Sequence, residues 1–411
     1  MHIPGYYEFC NRVKVVSGHN ALELIPEYLT QLKSDNPLII TDKGVEGVGL
    51  INVVIEAINR SNLIIFNDVP ADSDLNTISE IAKIYLDNKC DGIIAVGGGS
   101  VLDTAKGVNV LVSLGGDNLM RYAGAGKVKT KLKPFIAIPT TSGTGSEMTL
   151  AAVIADHRRK VKLGFVSYNL LPDIALLDSR MTQTLPPHLT ALTAMDALTH
   201  ACEAYTCLAK NPMSDGAAIT AIRLISENIL KAIETPDDKE TRLALANASA
   251  LAGAAFSNSM VGMVHTLGHA TGGVCNVPHG TCMSIFLPYG LEYNLNKTSH
   301  LTAELLFSLA GEEVYSSTPA GERAQRTIEY VRELNQKLHD ATQGRHARFL
   351  KEIKDRDGNL MVPHEKLPEI ASTAMGDASQ FYNPEELDYN DFMMVLELAW
   401  EGKPLLNGYK K

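Results

Sequence analysis

Residues 90–112, CDGIIAVGGGSVLDTAKGVNVLV, decide the fold. GIIAV is an apolar run of strand length, Gly97-Gly98-Gly99 is a turn, and SVLDTAKGVNVLV opens a helix. The same alternation extends outward. NPLIITD (36–42) reads as a strand ending in the turn Asp42-Lys43-Gly44, and SNLIIFNDV (61–69) as another. DLNTISEIAKIYLDNKC (74–90) has helical periodicity, with Ile78, Ile81, Ala82 and Tyr85 on one stripe. KPFIAIPTT (133–141) is a further buried strand. Strands that alternate with helices predict an α/β domain with a largely parallel sheet. The pattern changes at Thr184-Leu185-Pro186-Pro187. Beyond it 189–209, 215–234 and 238–256 are helical in character, separated by polar, Gly or Pro breaks. The expectation is an α/β dinucleotide-binding domain over 1–184 and an all-helical, metal-binding domain over 185–411.

Composition narrows the function. The 411 residues carry a net charge of −10, and no basic patch supports a nucleic-acid backbone as partner. Hydrophobic content of 45% and charged content of 20% are those of a soluble globular protein. Cysteines 10, 90, 202, 207, 275 and 282 form no CxxC pair and read as reduced thiols. The N-terminus lacks a signal pattern and no apolar run is long enough to span a bilayer, so the expected compartment is the cytoplasm. The charged stretch Ser316–Leu367 reads as a solvated helix pair with a turn at Arg356-Asp357-Gly358-Asn359, leaving His339, His346 and His364 on the surface.

Two loops point to a dinucleotide. Gly97, Gly98, Gly99 and Ser100 follow a strand and open a helix, where glycines let backbone approach a phosphate and free N–H groups bind it. The turn is not the GxGxxG fingerprint, and alone it is also an ordinary strand-to-helix turn. The second loop, PTTSGTGSE (139–147), supplies hydroxyls after another buried strand. Ligands bind outside the carboxyl ends of parallel strands, so two such loops say more than one. Asp42, at a strand end, can accept both ribose hydroxyls and would repel a 2′-phosphate, favouring NAD over NADP.

The helical half holds the other signal. Asp196 and His200 are spaced i, i+4, as are His265 and His269, and His279 lies a short way beyond. These are five candidates for at most four protein positions on a metal. With carboxylate and imidazole donors and no thiolate, Fe²⁺, Zn²⁺, Mn²⁺, Co²⁺ and Ni²⁺ are all admissible.

DALTHACEAY (196–205), GHATGG (268–273) and VPHG (277–280), with GGGS and PTTSGTGSE upstream, resemble the iron-containing (group III) alcohol dehydrogenase family over nearly the whole chain. The resemblance is to its lactaldehyde reductase and 1,3-propanediol dehydrogenase types, and implies a helical domain of the dehydroquinate synthase-like kind. It implies Asp196, His200, His265 and His279 as ligands, with Fe²⁺ favoured and Zn²⁺ or another divalent ion as alternatives. His269 matches a neighbour that is not a ligand, suited to proton relay or substrate orientation. The first loop would hold the pyrophosphate. Thr140, Thr141, Ser142 and Thr144 would line the nicotinamide side. Asp103, Lys106 and Lys162 fall on cofactor positions. Where the family often has Asn-Pro, this chain has Pro70-Ala71-Asp72-Ser73. The implied activity is interconversion of small primary alcohols or diols with aldehydes by NAD(H), in a homodimer or larger homo-oligomer. The alternatives are a glycerol, polyol or hydroxyacid dehydrogenase of the same superfamily and a non-redox lyase like dehydroquinate synthase. The basic residues a lyase substrate needs are not evident around the metal motifs.

Overall fold

The computed structural model describes residues 3–405 apart from 117, 157, 158 and 160. Contacts divide the chain into two compact units, one of Cys10–Leu185 with Asp237–Ser257, the other of Met1–Phe9, Pro186–Pro236 and Asn258–Lys411.

The first unit is built on parallel strands. In chain order they are β1 (Lys14–Gly18), β2 (Pro37–Ile40), β3 (Ile64–Phe66), β4 (Gly92–Gly97), β5 (Gly124–Ala125), β6 (Phe135–Pro139), β7 (Ala151–Asp156), β8 (Val161–Val166) and β9 (Ile174–Asp178). Six form one sheet in the order β1-β9-β6-β4-β2-β3, every pair parallel. β5, β8 and β7 form a small second sheet.

Alternation along the central strands shows why they read as unbroken apolar runs. Leu38, Ile40, Ile93, Ala95, Phe135 and Ala137 join one core, with Ile78, Ile81, Ala82 and Tyr85 of the helix Leu75–Asp87. Their neighbours Ile39, Ile94, Val96, Ile136 and Ile138 join another core on the opposite face. A parallel sheet covered on both faces needs apolar residues at every position, not every second one.

The direction in which successive strands are added across the sheet reverses between β2 and β4. The connection from β2 leads outward to β3, while that from β4 leads the other way to β6. The crevice at the carboxyl ends of β2 and β4 is therefore a topological switch point, where such sheets take ligands.

Residues 237–257 pack with this sheet rather than with the other helices. Ala246, Ala250 and Ala254 bury against Ala175 and Leu177 of β9. A Cβ on Gly253 would lie 2.5 Å from the Gly145 carbonyl oxygen, so only glycine allows that approach. Ser257 Oγ accepts from Leu150 N at 3.0 Å.

The second unit is helical, with long helices at Pro187–Thr206, Pro212–Glu234 and Arg323–Ala341, and a pair over Leu295–Ser317 that meets in a kink at Gly311. No helix among the described residues is long and apolar enough to cross a membrane.

The charged stretch meets expectation in its turn at Arg356-Asp357-Gly358-Asn359, closed by Gly358 N on Asp355 O, and in the exposure of His364, but not at His339 and His346. After the helix Arg323–Ala341 the chain runs through short turns to His364–Lys366, and His346 is fully buried. His364 is exposed and bonds Glu397, and His339 is half-buried with Nδ1 on the His346 carbonyl. Ser284 Oγ donates to Asn335 Oδ1 at 2.7 Å, so it accepts from His346 Nε2–H at 2.8 Å. His346 Nδ1 is buried without a partner, and a proton placed there would have nothing to bond.

Burial, with His339 acting the same way and Glu352 opposing, pushes His346 from its ordinary 6.5 down to about 4. The unfolded chain therefore takes up a proton that the folded chain refuses. This part of the stability is complete above the unfolded value and is lost as pH falls from 6.5 toward about 4. Between about pH 7 and pH 5 the loss is about 2 kcal/mol. Thermal unfolding of metal-free protein should show a steeper acid fall in wild type than in His346→Gln. Parallel pH curves would remove His346 from the linkage.

Candidate metal centre and cofactor loops

Three helices carry the metal candidates: Pro187–Thr206 with Asp196 and His200, Met263–Cys275 with His265, and His279–Tyr293 with His279 as its first residue. Glycines draw them together. A Cβ on Gly280 would lie 2.6 Å from the Leu192 carbonyl, one on Gly268 would strike Met283, and one on Gly290 would sit 2.4 Å from Val264 Cγ2. The small residues around the histidines thus set how closely the three backbones approach.

The result is a convergent donor set. One ligand atom each from Asp196, His200, His265 and His279 lies within 4.8 Å of the others. Asp196 Oδ1 is 3.3 Å from His279 Nε2 and 3.8 Å from His200 Nδ1. The His200 and His265 ring centroids are 4.5 Å apart, and those of His265 and His279 5.5 Å. Asp196, His200 and His265 are buried, and His279 is half-exposed, leaving one side open.

Electrostatics favours the ligand forms. Burial pushes His200 down to about 3, with His265 and His279 reinforcing and Asp196 opposing. Burial, reinforced by His279 and His269, holds His265 well below its usual range. Burial opposes ionisation of Asp196, but the imidazoles of His200 and His279 outweigh it and keep the carboxyl low. An ionised carboxylate beside the neutral imidazoles of His200 and His265 fits a divalent first-row cation, since these donors bind deprotonated.

Glu203 supports this set and was not singled out in the sequence. Its Oε2 bonds His265 Nδ1 and its Oε1 accepts from Val264 N at 2.8 Å. A carboxylate on Nδ1 directs a histidine's Nε2 toward a metal. The available signal was the His-x-x-Glu spacing from His200, one turn along the same helix face. His269 lies one turn beyond His265, its ring stacked on His279 at 5.4 Å and 17°. Its Nδ1 bonds Asp377 Oδ2 at 2.9 Å.

In the α/β unit the loops after β2, β4 and β6 meet. Thr41 Oγ1 donates to Val96 O at 2.7 Å, and Thr140 N donates to Gly97 O at 3.1 Å. Gly98 is the N-cap of the helix Gly99–Leu114 and supplies no side-chain cap, so the first N–H groups stay available to an anion. The second loop rests against the first. A Cβ on Gly98 would be 3.3 Å from Thr141 Oγ1, and one on Gly99 2.8 Å from Thr144 Cγ2. Thr140 and Ser142 are buried, and Thr144 Oγ1 accepts from Ser146 N. Ser100 Oγ donates to the Ala71 carbonyl.

The remaining residues divide by environment. The turn at Asp42 is the start of the short helix Lys43–Gly47, which Asp42 caps by accepting from Val45 N at 2.9 Å. Asp103 accepts from Ser146 Oγ at 2.7 Å and Val153 N at 2.9 Å. Lys106 is buried and donates to Ser146 Oγ, Thr149 O, Thr149 Oγ1 and Ala151 O. These bonds tie Ser146, near the end of the second loop, and the chain leading into β7 to the helix Gly99–Leu114. Lys162 is exposed and pairs with Asp72 at 3.0 Å, in the loop where the sequence departs from Asn-Pro.

Comparison with known proteins gives one answer for both halves. The model of the iron-containing alcohol dehydrogenases matches residues 12–179, and that of the C-terminal domain of the same family matches 190–400. The chain is 36% identical to the NAD-dependent methanol dehydrogenase of Bacillus methanolicus over 386 residues, covering 93% of this chain and 97% of the other. It is 32% identical over 382 residues to the NADPH-dependent butanol dehydrogenase of Clostridium saccharobutylicum, covering 92% and 94%. A 1,3-propanediol oxidoreductase crystal structure superposes with a TM-score of 0.88 at 29% identity, covering 96% of this chain and all of that one.

Proposed function

The chain belongs to the iron-containing alcohol dehydrogenase family, and on that premise we propose that it uses a divalent metal, Fe²⁺ in the cell, and NAD(H) to interconvert small primary alcohols or diols with their aldehydes. The convergence of Asp196, His200, His265 and His279 carries this reading. Relatives bearing methanol, butanol and 1,3-propanediol dehydrogenase names support short alcohols and diols as substrates.

When bound, the metal supplies Lewis acidity toward the alcohol or carbonyl oxygen, and the nicotinamide gives or takes hydride. The residues do the rest. Asp196 contributes the negative charge, the three imidazoles complete the donor set, and Glu203 orients His265. The N–H groups after Gly98 hold the pyrophosphate, with Thr140, Thr141, Ser142 and Thr144 beside it. Lys106 and Asp103 keep that loop in place. His269 carries the proton. The six free thiols support a cytoplasmic setting.

Chelator-stripped protein, reloaded with Fe²⁺ or Zn²⁺ and followed by NADH absorbance against alcohols, diols, glycerol and hydroxyacids, tests this. Turnover restored by metal on short alcohols supports it. Turnover on glycerol or hydroxyacids alone, or none with NAD(H), refutes it.

Related enzymes divide between NAD and NADPH by name, and the chemistry of Asp42 supports NAD for this chain. A carboxylate at the β2 carboxyl end accepts ribose hydroxyls and repels a 2′-phosphate. Glycine also tolerates a helix N-cap, so Asp42→Gly should leave the fold intact. The NADP-to-NAD ratio of kcat/KM should rise roughly tenfold or more, about 1.4 kcal/mol. An unchanged ratio would take Asp42 out of the adenosine site.

A further inference from the structure

Asp377 lies far along the chain from every motif in the sequence, yet its carboxylate meets His269. Oδ2 is 2.9 Å from His269 Nδ1, and Oδ1 accepts from Ser379 N at 2.8 Å, capping the short helix Ala378–Tyr382. That segment is fixed. Gln380 Nε2 donates to the carbonyls of Met375 and Asp377. At its end Asn383 Oδ1 accepts from Met263 N at 3.1 Å and from Asn294 Nδ2 at 2.9 Å. A Cβ on Gly262 would come within 2.8 Å of the same oxygen. The brace therefore grips the start of the helix that bears His265 and His269. Asp377 is held by backbone on one oxygen and presents the other to the ring.

A carboxylate only accepts, so the imidazole nitrogen facing it carries the hydrogen. The second nitrogen, Nε2, then keeps its lone pair. Burial would raise the Asp377 carboxyl, but the bond to His269 and the Ser379 amide outweigh it and keep it ionised. The His269 side chain is 43% exposed, which gives a proton a route to solvent.

We propose that Asp377 is the positioning residue for proton transfer, fixing His269 as the Nδ1–H tautomer with Nε2 as acceptor. This rests on reading His269 as the proton carrier. In oxidation a bound NAD⁺, held by the N–H groups after Gly98, would be the oxidant that takes the carbinol hydrogen with its electron pair as the C–H bond breaks. The O–H bond breaks, its proton goes to Nε2, and the C=O bond forms. The resulting imidazolium keeps its Nδ1–H on Asp377 and returns the Nε2 proton to solvent. Reduction runs these transfers in reverse.

Asp377→Asn is the informative substitution. Asparagine still caps the helix through its Oδ1, but turns an N–H₂ donor toward Nδ1. That favours the Nε2–H tautomer, which has no lone pair where the proton must go. The expected result is a kcat fall on the order of a hundredfold, with metal content and NADH affinity unchanged. In a His269→Ala background Asp377→Asn should add nothing. Nitrogen NMR of histidine-labelled, zinc-loaded protein, diamagnetic where iron is not, should show Nδ1–H in wild type and Nε2–H in the variant. If His269→Ala keeps wild-type kcat, the proton-carrier reading fails. If His269→Ala is slow but Asp377→Asn is not, or if the two losses multiply, the positioning role alone fails. An Nε2–H wild-type ring also overturns it.

Discussion

His265→Ala is expected to fold, to lose its metal and to show no measurable turnover, while His269→Ala keeps its metal and loses rate. The two residues are one turn apart on a single helix, so their difference lies in what each ring reaches. His265 is buried within the donor set and its Nδ1 is held by Glu203, leaving Nε2 as its donor. His269 has its Nδ1 on Asp377 and stacks outside the set. Removing one of four donors opens the coordination sphere to water. Metal affinity should then fall by more than the roughly 10–100-fold that loss of a supporting hydrogen bond costs. Because His265→Ala also leaves a cavity and strands the Glu203 carboxylate, His279→Ala is the cleaner companion. That ring is half-exposed at a helix start, so its removal should strip metal with little loss of stability. Elemental analysis after dialysis, paired with turnover, separates the cases. His269→Ala as depleted as His265→Ala would mean that the coordination sphere is drawn wrongly.

How much of this could be read from the sequence depended on how local the cause is. The strands β2, β4 and β6 and the stripe Ile78, Ile81, Ala82, Tyr85 are local patterns, and the buried residues of the helix Leu75–Asp87 are those four. The i, i+4 spacing of Asp196 and His200 also survives folding, because one helix carries both. Choosing among five metal candidates did not follow from spacing. It needed the family resemblance, and in space it depends on glycine contacts between three helices.

What stayed hidden is non-local. Asp377 reaches His269 across 108 residues. Helical periodicity in 238–256 gave no hint that the segment packs with the sheet, because an alanine face suits either partner and the Gly145–Gly253 approach joins distant positions. His346 sits in a charged stretch, and its burial depends on Ser284 and Asn335, residues that nothing local pairs with it.

Gly98→Val should abolish useful NADH binding and leave the metal site untouched. The backbone at Gly98 is extended, with φ −79° and ψ −167°, so valine is not excluded by conformation. The conflict is one of space. A Cβ there already comes within 3.3 Å of Thr141 Oγ1, and valine adds two branches at the N-cap of the helix Gly99–Leu114, where a phosphate would approach. A pyrophosphate bound there accepts charge-assisted bonds of about 1.5–3 kcal/mol each. Losing two is a change of about 3–6 kcal/mol, or roughly 10²–10⁴-fold in affinity. Gly98→Ala, with one methyl in a tight contact that a small shift of the Thr141 side chain relieves, should lose far less. Gly97→Ala is a different case, because its Cβ would sit 2.5 Å from the Val101 side chain and disturb the turn itself. NADH fluorescence titration beside metal analysis reads the outcome. A Gly98→Val protein that binds NADH as tightly as wild type would show that this turn joins strand to helix and holds no phosphate.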